Sequence, residues 1–251
     1  MDSEYINELE ELDIRNFWFK AKEKYLNSII KEPGAVILDI GCGSGRCLSS
    51  FTARGFEVIG IDISERAVTL CKEKGYRVFQ ADLEKETVLD IQSAPDYITA
   101  LDFMEHVENP VQVLRNLRKS SDSDTQLIVT VPSYQGLFSE WDQAMGHVKR
   151  YSRTILSNEL KEGGWEVYRI TYIHLVPLIP ALLLRKIVKP IMRKVSPQNA
   201  SEKEKFVNPH SALNWLLYCM YYPEFLLFWS RIPLPVGLSI LAIATPKRYA
   251  T

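Results

Sequence analysis

The chain has 251 residues, of which 46% are hydrophobic and 24% are charged, and its formal net charge is -1. This composition is ordinary for a folded globular protein and excludes a chain that is disordered throughout. A general nucleic-acid-binding protein would carry a marked basic excess, so we expect no nucleic acid among the partners. The length suits one α/β domain with an elaboration, or two small domains.

The four cysteines lack the paired spacing of metal fingers and dithiol motifs. The N-terminal stretch MDSEYINELEELD is acidic and does not resemble a secretory signal peptide. Free thiols persist in a reducing compartment. These features together predict a cytoplasmic protein.

The first half of the chain alternates short apolar runs with stretches of helical character. NFWFKAKEKYL (16–26) predicts an aromatic and basic helix, and VILDI (36–40) predicts the first strand. The glycine-rich turn GCGSG follows at once and precedes a helix over about 44–54. A glycine turn between a strand and a helix usually brings backbone close to a small ligand.

The same alternation continues through three more strands. EVIGID (57–62) predicts the second strand, and the helix after it has Ser64 as its N-cap and Gly75 as its stop. The third strand, YRVFQAD, ends near Asp82. DYITAL (96–101) predicts the fourth strand.

A helix and three further strands complete the pattern. Asn109 caps a helix that has Pro110 at its first position. The fifth strand is TQLIVTVP (125–132), the sixth is WEVYRITYI (165–173) and the seventh is GLSILAIATP (237–246). Strands that alternate with helices predict a parallel sheet covered on both faces, with a ligand site beyond the carboxyl ends of its strands.

Acidic residues stand at the ends of the first three predicted strands, as Asp39, Asp62 and Asp82. A dinucleotide fingerprint would need a third glycine where this chain has Arg46. Asp39 would repel a pyrophosphate and attract a ligand that carries an ammonium and a sulfonium. Asp62 is placed to accept hydrogen bonds from ribose hydroxyls, and Asp82 from an adenine amino group. The acids therefore predict a positively charged adenosine derivative.

Four motifs, in this order, resemble the class I S-adenosylmethionine-dependent methyltransferases: DIGCGSG (39–45), IGIDIS (59–64), QADL (80–83) and ALDFMEHVENP (100–110). The resemblance covers about residues 35–132 and implies S-adenosylmethionine as the cofactor. It implies an α/β fold with a Rossmann-like seven-stranded sheet, parallel except for one antiparallel strand. Helices would cover both faces, and here a helical insertion precedes the last strand.

The resemblance also implies cofactor contacts from particular residues. They are Gly41, Cys42 and Gly43 at the methionine portion, with Asp39 and Gly45 in the same motif, Asp62 and Ile63 at the ribose, Asp82 and Leu83 at the adenine, and Leu101 at the floor of the site.

The N-terminal helix is similar to one that precedes this domain in a subgroup similar to ubiquinone-biosynthesis O-methyltransferases. A basic side chain closes over the cofactor there, and the resemblance implies that Lys22 meets the methionine carboxylate. Lysine replaces the usual arginine, so a bidentate clamp is lost. The alternative is a surface helix that covers the sheet edge.

A hydroxyl acceptor needs a base or a metal in addition to alignment with the methyl group. Asp102, Glu105 and His106 resemble an acid-x-x-E-H run of the related quinone O-methyltransferases, which implies a divalent cation such as Mg²⁺. The alternative is that this run caps the next helix near the cofactor.

The segment GHVKRYS (146–152) offers a second source of chemistry. His147 titrates near working pH and is a candidate catalytic base. Arg150 and Tyr151 are candidates for binding an anionic or sugar-bearing acceptor. The alternative is a loop tied to the following helix, with Tyr151 in the core.

Residues 174–231 hold eight Lys/Arg and three Asp/Glu, so this segment carries +5 and the rest of the chain -6. Its two apolar stretches contain prolines, and neither offers the ~20 uninterrupted apolar residues of a spanning helix. Basic residues beside apolar and aromatic ones favour contact with the inner face of a membrane. The alternative is a soluble lid or a dimer face.

These observations divide the chain into an N-terminal helical cap (1–34), a cofactor-binding core (35–173), an insertion (174–236), and the last strand with its tail (237–251). We predict a methyltransferase, monomeric or homodimeric, that O-methylates a hydrophobic or lipid-linked acceptor such as a quinone precursor or a lipid-carried glycan. The alternatives are methylation of a soluble small molecule under a helical lid, and a non-catalytic S-adenosylmethionine-binding regulatory subunit.

Overall fold

The structure, a computed structural model, describes residues 16–85, 91, 93–183 and 211–247. Its seven strands are β1 (Val36–Ile40), β2 (Glu57–Asp62), β3 (Arg77–Gln80), β4 (Tyr97–Leu101), β5 (Gln126–Pro132), β6 (Trp165–Ile173) and β7 (Ser239–Pro246). They form one sheet in the order β3-β2-β1-β4-β5-β7-β6.

The helices alternate with these strands. They are α1 (Phe17–Ile29), α2 (Arg46–Ala53), α3 (Glu65–Glu73), α4 (Pro110–Lys119), α5 (Glu140–Ala144), α6 (Arg153–Glu162), α7 (Leu178–Leu183), α8 (Ser211–Cys219) and α9 (Tyr222–Trp229), with short 3-10 turns at Met104–His106 and Gln135–Leu137.

The sheet confirms the predicted fold class. Strands β1 to β5 pair in parallel, and β7 lies antiparallel between β5 and β6. Asp39 aligns with Gly60 of β2 and Thr99 of β4, so the carboxyl ends of these three strands meet at one edge. Along the chain, helices α7, α8 and α9 come after β6 and before β7, where the insertion was predicted.

Local capping explains why several helices begin where the sequence predicts. The Ser64 side chain accepts a hydrogen bond from the backbone of Ala67, and Asn109 accepts one from Gln112. Each cap satisfies a backbone donor that has no partner within the helix. The helix after the glycine turn begins at Arg46, two residues later than predicted, because Gly45 has a left-handed φ of 82°.

The core lies on both faces of the sheet. Neighbouring residues of a strand point to opposite faces, so Leu38 belongs to one buried cluster and Ile37 to the other. The first cluster packs against α4 and α6, and the second against α1 and α9. The insertion therefore completes the core on one face of the sheet.

Across the ranges that the structure describes, no helix has both the length and the apolarity needed to cross a bilayer. The basic residues predicted to contact a membrane, Arg185, Lys186, Lys189, Arg193 and Lys194, lie outside the described residues.

Candidate active site

A cavity of about 310 Å³ lies at the carboxyl ends of β1, β4 and β5. One side, called the cofactor wall below, consists of Asp39, Gly41, Cys42, Gly43, Ser44, Arg46 and Cys47. The other, called the acceptor wall, consists of Glu105, His106, Trp141, Met145, His147 and Arg150. Helix α1 contributes Trp18, Phe19 and Lys22, and Leu101 and Asp102 come from the end of β4.

Glycine is required in the turn after β1. Gly41 and Gly43 have φ values of 68° and 52°, a region that side chains disfavour. A Cβ atom on Gly41 would lie 2.6 Å from a ring carbon of Phe103, whereas one on Gly43 would meet no atom within 4 Å. The turn therefore presents bare backbone to the cavity, as a close-fitting ligand requires.

Asp39 is an acid held out of water at this turn. Its side chain is buried, and its Oδ1 accepts a hydrogen bond of 2.6 Å from the Thr99 hydroxyl. Burial raises the pKa of the Asp39 carboxyl to about 7, and the nearby Asp62 charge adds to the shift. A ligand cation in the cavity would relieve this cost, so the residues present fit the ammonium and sulfonium of S-adenosylmethionine.

Asp62 fastens the glycine turn to the end of β2. One of its oxygens accepts a hydrogen bond of 2.9 Å from the Gly43 backbone and the other accepts one of 2.9 Å from Ser64. Since each carboxylate oxygen has two lone pairs, Asp62 keeps acceptor capacity for ribose hydroxyls. Asp62 itself lies outside the cavity lining.

The other predicted adenosine contacts also lie outside the cavity lining. Ile63 is 59% exposed, and Leu83 is buried in the core. The Asp82 carboxylate forms an ion pair of 2.7 Å with Lys85 and accepts a hydrogen bond from the Glu84 backbone. The structure thus brings the methionine-side residues together, apart from Gly45, and leaves Asp62, Ile63, Asp82 and Leu83 beyond them.

Lys22 extends from α1 to the cavity, and there it forms an ion pair with Asp102. Asp102 also accepts a hydrogen bond of 2.9 Å from the Thr130 hydroxyl. Burial acts to raise the pKa of Asp102, but the Lys22 ammonium and the Thr130 hydrogen bond together hold that pKa below its usual value. An ionised Asp102 keeps the Lys22 cation at the cavity wall, beside the predicted methionine site.

His147 belongs to a hydrogen-bonded group on the acceptor wall. Its Nδ1 lies 2.9 Å from Oδ1 of Asp142, and the same oxygen accepts a hydrogen bond of 2.7 Å from Arg150 Nε. Asp142 is fully buried, and its Oδ2 accepts hydrogen bonds from the backbone and hydroxyl of Ser139. An ionised carboxylate only accepts, so we assign the proton of the His147 ring to Nδ1 and leave Nε2 as the acceptor.

The two candidate acceptor-binding residues are placed differently. Arg150 borders the cavity, but its Nε donates to Asp142 and its Nη1 to the Ser133 carbonyl. Tyr151 is 1% exposed, and its hydroxyl donates to the Met104 carbonyl at 3.0 Å. Tyr151 packs in the core, as the alternative held, so we leave it out of the proposed acceptor site.

The structure gathers a different set of metal-ligand types from the one predicted. Ligand atoms of Glu105, His106 and His147 lie within 4.8 Å of one another, whereas the Asp102 carboxylate pairs with Lys22. Two imidazoles and one carboxylate suit a transition metal better than Mg²⁺, which prefers oxygen ligands. These three side chains could hold such a cation.

Burial disfavours the charged forms of Glu105 and His106 when no cation is bound between them. Burial raises the pKa of Glu105 well above its usual value, and the Asp102 charge raises it further. Burial also lowers the pKa of His106 to about 4, with a further contribution from His147. Among the described residues, Oε2 of Glu105 is buried with no hydrogen-bond partner. His106 is therefore neutral near pH 7, and burial favours the neutral, protonated form of Glu105.

Asp142 is the main site residue that sequence reasoning missed. It lies at the third position after Ser139, and this Ser-x-x-Asp spacing is a helix-start pattern related to the capping box. The pattern marks α5, but the contacts of Asp142 with His147 and Arg150 depend on the loop that follows. Trp18 and Trp141, which also line the cavity, carry no motif that distinguishes them from core aromatics.

Comparison with known proteins finds relatives over part of the chain. Ubiquinone biosynthesis O-methyltransferase of Rickettsia conorii is 34% identical over 114 residues, covering 43% of this chain and 37% of that protein. The protein of the same name from Idiomarina loihiensis is 30% identical over 92 residues, covering 35% of this chain and 38% of that protein. The matched part thus spans less than half the length of these curated relatives.

A solved structure extends the likeness of fold along nearly the whole chain. The S-adenosylmethionine-dependent methyltransferase of Archaeoglobus fulgidus superposes with a TM-score of 0.61 at 19% identity, covering 97% of this chain and 100% of that one. The sequence pattern of the methyltransferase domain matches residues 11–170, more than half of the chain. The protein therefore belongs to the class I S-adenosylmethionine-dependent methyltransferases.

Proposed function

We propose that this methyltransferase O-methylates a hydrophobic or lipid-linked acceptor, such as a quinone precursor or a lipid-carried glycan, with His147 as the base. The observation that carries the proposal is the pairing of His147 with Asp142 on the acceptor wall, in the same cavity as the glycine turn. The sulfonium of the cofactor supplies the activated methyl group, and the protein must align the acceptor and remove its proton.

Asp142 prepares His147 for this role. By accepting from Nδ1, it fixes the ring tautomer and stabilises the imidazolium that forms when Nε2 takes a proton. Arg150 and Ser139 hold the Asp142 carboxylate in place through their own hydrogen bonds. Arg150 is thus a positioning residue, although its place at the cavity leaves it within reach of an anionic acceptor.

The lining of the cavity supports a flat, largely apolar acceptor. Trp18, Phe19, Trp141 and Met145 line it together with Pro132. Aromatic and thioether side chains favour contact with an aromatic ring. An open cavity that contains a candidate base favours an enzyme over a cofactor-binding subunit without chemistry.

A divalent cation at Glu105, His106 and His147 is a second way to acidify an acceptor hydroxyl. A metal and a free base make opposite demands on His147, because a ligand nitrogen cannot also take a proton. Of the two, we favour the free base, since the Asp142 contact supplies what a histidine base needs.

The proposal is tested by incubating the protein with isotope-labelled S-adenosylmethionine and a lipid extract, followed by mass spectrometry. We expect the labelled methyl in a methoxy group of an extractable lipid or quinone precursor. Label only in water-soluble products would favour the soluble-acceptor alternative. Cofactor binding without labelled product in any fraction would favour the regulatory subunit.

A further inference from the structure

Helices α8 and α9 present an apolar surface on the side away from the core. Ten large hydrophobic residues in 211–236 are between 37% and 67% exposed: Leu213, Trp215, Leu216, Met220, Tyr222, Leu226, Leu227, Trp229, Ile232 and Val236. We call these residues the outer face. A surface helix of a globular protein normally places polar residues on this side.

The inner side of α9 and of the turn before it is mainly apolar as well. Tyr221, Phe225 and Phe228 are buried in the second core cluster. Only two charged residues occur in 211–236, and one of them, Glu224, is buried. A helix that is apolar on nearly all sides, as α9 is, is either enclosed by protein or in contact with lipid. The ten residues of the outer face exceed the scattered apolar residues normal on a protein surface.

The outer face is firmly attached to the catalytic domain. The Glu224 carboxylate accepts hydrogen bonds of 2.5 Å from the Tyr25 hydroxyl and the His174 backbone, and one of 3.0 Å from Leu175. The Asn214 side chain accepts a hydrogen bond of 2.6 Å from the backbone of Phe17, at the start of α1. A buried carboxylate with several donors strongly stabilises such a junction.

We propose that the outer face docks the enzyme onto an anionic membrane surface. Exposed Trp and Tyr side chains suit the boundary between lipid headgroups and acyl chains. The segment 184–210 leads directly into α8 and contributes seven Lys/Arg and two Asp/Glu. Basic residues that adjoin an apolar segment in the sequence are the combination typical of chains that bind anionic lipid.

Charge also argues against a second copy of the chain as the occupant. A two-fold contact through this face would bring together two insertions that each carry +5. Like charges across an interface oppose association. Anionic lipid neutralises the same charge, and the inner face of a membrane, where we expect the protein, presents such lipid.

The docking surface adjoins the active site through α1. Tyr25 of α1 packs edge-on against Phe225 and Phe228, and the same helix carries Trp18 and Lys22 into the cavity. Docking would therefore bring the cavity near the bilayer, from which a hydrophobic acceptor is taken. The proposal extends the function proposed above, but membrane binding is measurable without turnover.

The test is co-sedimentation of the full chain with phosphatidylcholine vesicles, with and without phosphatidylserine. We expect binding to the anionic vesicles, partly released by salt. The double variant Trp215→Ser and Leu216→Ser should lower the bound-to-free ratio by about tenfold or more, because two exposed apolar side chains no longer enter the lipid. The matched control, Ile155→Ser and Tyr168→Ser, changes two exposed apolar residues elsewhere and should bind as the unchanged chain does.

Charge is tested separately by Arg185→Glu, Lys186→Glu and Lys189→Glu. This triple variant should lose the preference for anionic vesicles, while Lys72→Glu, Lys119→Glu and Lys161→Glu, on the catalytic domain, should keep it. A thermal shift with S-adenosylhomocysteine verifies that each variant is folded. For the unchanged chain, brominated phospholipid should quench tryptophan emission, which requires no variant.

Two results would overturn the proposal. One is equal co-sedimentation of the protein with neutral and with anionic vesicles, together with no quenching of tryptophan emission by brominated lipid. The other is an outer-face variant that changes the oligomeric state in sedimentation velocity while the unchanged chain binds no vesicles, because the face would then be a contact between copies. Neither result bears on cofactor binding, so the proposed O-methylation would stand or fall on its own test.

Discussion

The two walls of the cavity differ in how far apart their residues lie in the chain. The cofactor wall comes from one continuous stretch, 39–47, whereas the acceptor wall combines 105–106 with 141–150. The first presents backbone held by left-handed glycines, and the second presents side chains held by one another. A cofactor common to many enzymes can thus be bound by a local turn, while the acceptor is recognised by tertiary contacts that can change independently.

The largest effect is expected on the acceptor wall. His147→Ala should lower kcat by about 10²–10⁴-fold, the usual contribution of a general base. Affinity for S-adenosylhomocysteine, measured by calorimetry, should stay unchanged because the cofactor wall is untouched. Asp142→Asn should also lower kcat and should alter the pH profile, since an amide does not stabilise the imidazolium.

His106→Ala is the matched control for this prediction. If His147 acts as a free base, loss of His106 should cost far less than loss of His147. If both histidines hold a metal, the two variants should be equally inactive, and a chelator should abolish turnover of the unchanged enzyme. Full activity of His147→Ala would show that alignment alone suffices.

This contrast also explains what could be predicted from the sequence. The strand ends, the glycine turn and the caps at Ser64 and Asn109 follow from local chemistry. The bounds predicted for β6 agree with the structure. The family resemblance supplied the seven-stranded sheet with one antiparallel strand, and the structure shows that this strand is β7, between β5 and β6.

The acceptor wall could not be predicted in the same way. The D-x-x-E-H spacing suggested that Asp102 would join Glu105 and His106, but the positive φ of Asp102 and the approach of Lys22 from α1 give it another partner. His147 takes its place beside the other two because the loop after α5 folds back onto the 3-10 turn. Such long-range contacts leave no pattern in one sequence.

On the cofactor wall, two glycines should respond unequally to the same substitution. Gly41→Ala forces a side chain into the left-handed region, which costs about 1–2 kcal/mol, and also displaces the Phe103 ring. Affinity for S-adenosylhomocysteine should fall by about 10–100-fold. Gly43→Ala incurs only the cost of a side chain in the left-handed region, since no atom lies within 4 Å of the added carbon. Its loss of affinity should therefore be smaller.

Both glycine variants can be followed by calorimetry and by the melting temperature. Equal losses of affinity would mean that the close approach of Phe103 has no part in shaping the turn. Gly34→Ala, also left-handed but remote from the cavity, should lower stability without a specific loss of affinity.

The pH dependence of cofactor binding should report on Asp39. The raised pKa, about 7, means that the empty site holds a proton below neutral pH. Binding of a ligand ammonium beside Asp39 must release that proton, so affinity for S-adenosylhomocysteine, which carries the ammonium without the sulfonium, should fall by about tenfold per pH unit below 7. Asp39→Asn should bind weakly with little dependence on pH, whereas Asp96→Asn, at the opposite end of the sheet, should keep the dependence.

The same shift has a consequence for stability. The folded, ligand-free protein binds a proton at Asp39 that the unfolded chain releases at its ordinary pKa of 3.8. The contribution of Asp39 to the free energy of unfolding should therefore decrease as pH rises from about 4 to 7. Chemical denaturation of the unchanged chain and Asp39→Asn across this range measures the difference, and an identical pH slope would contradict the assignment.

The smallest effect is expected from Lys22, which stands between the two walls. Its ion pair with Asp102 is partly open to solvent, so the exchange of that partner for a ligand carboxylate should contribute at most about 1 kcal/mol. Lys22→Met keeps the length of the side chain and removes the charge, so affinity for S-adenosylhomocysteine should fall by no more than about fivefold. Lys20→Met, on the same helix but outside the cavity lining, should bind normally.

High salt should reduce the difference in affinity between the two variants because salt screens the contact between the Lys22 ammonium and the ligand carboxylate. If Lys22→Met binds the cofactor product as well as Lys20→Met does at low salt, α1 covers the site without contacting the methionine carboxylate, and the clamp implied by the resemblance is absent from this chain.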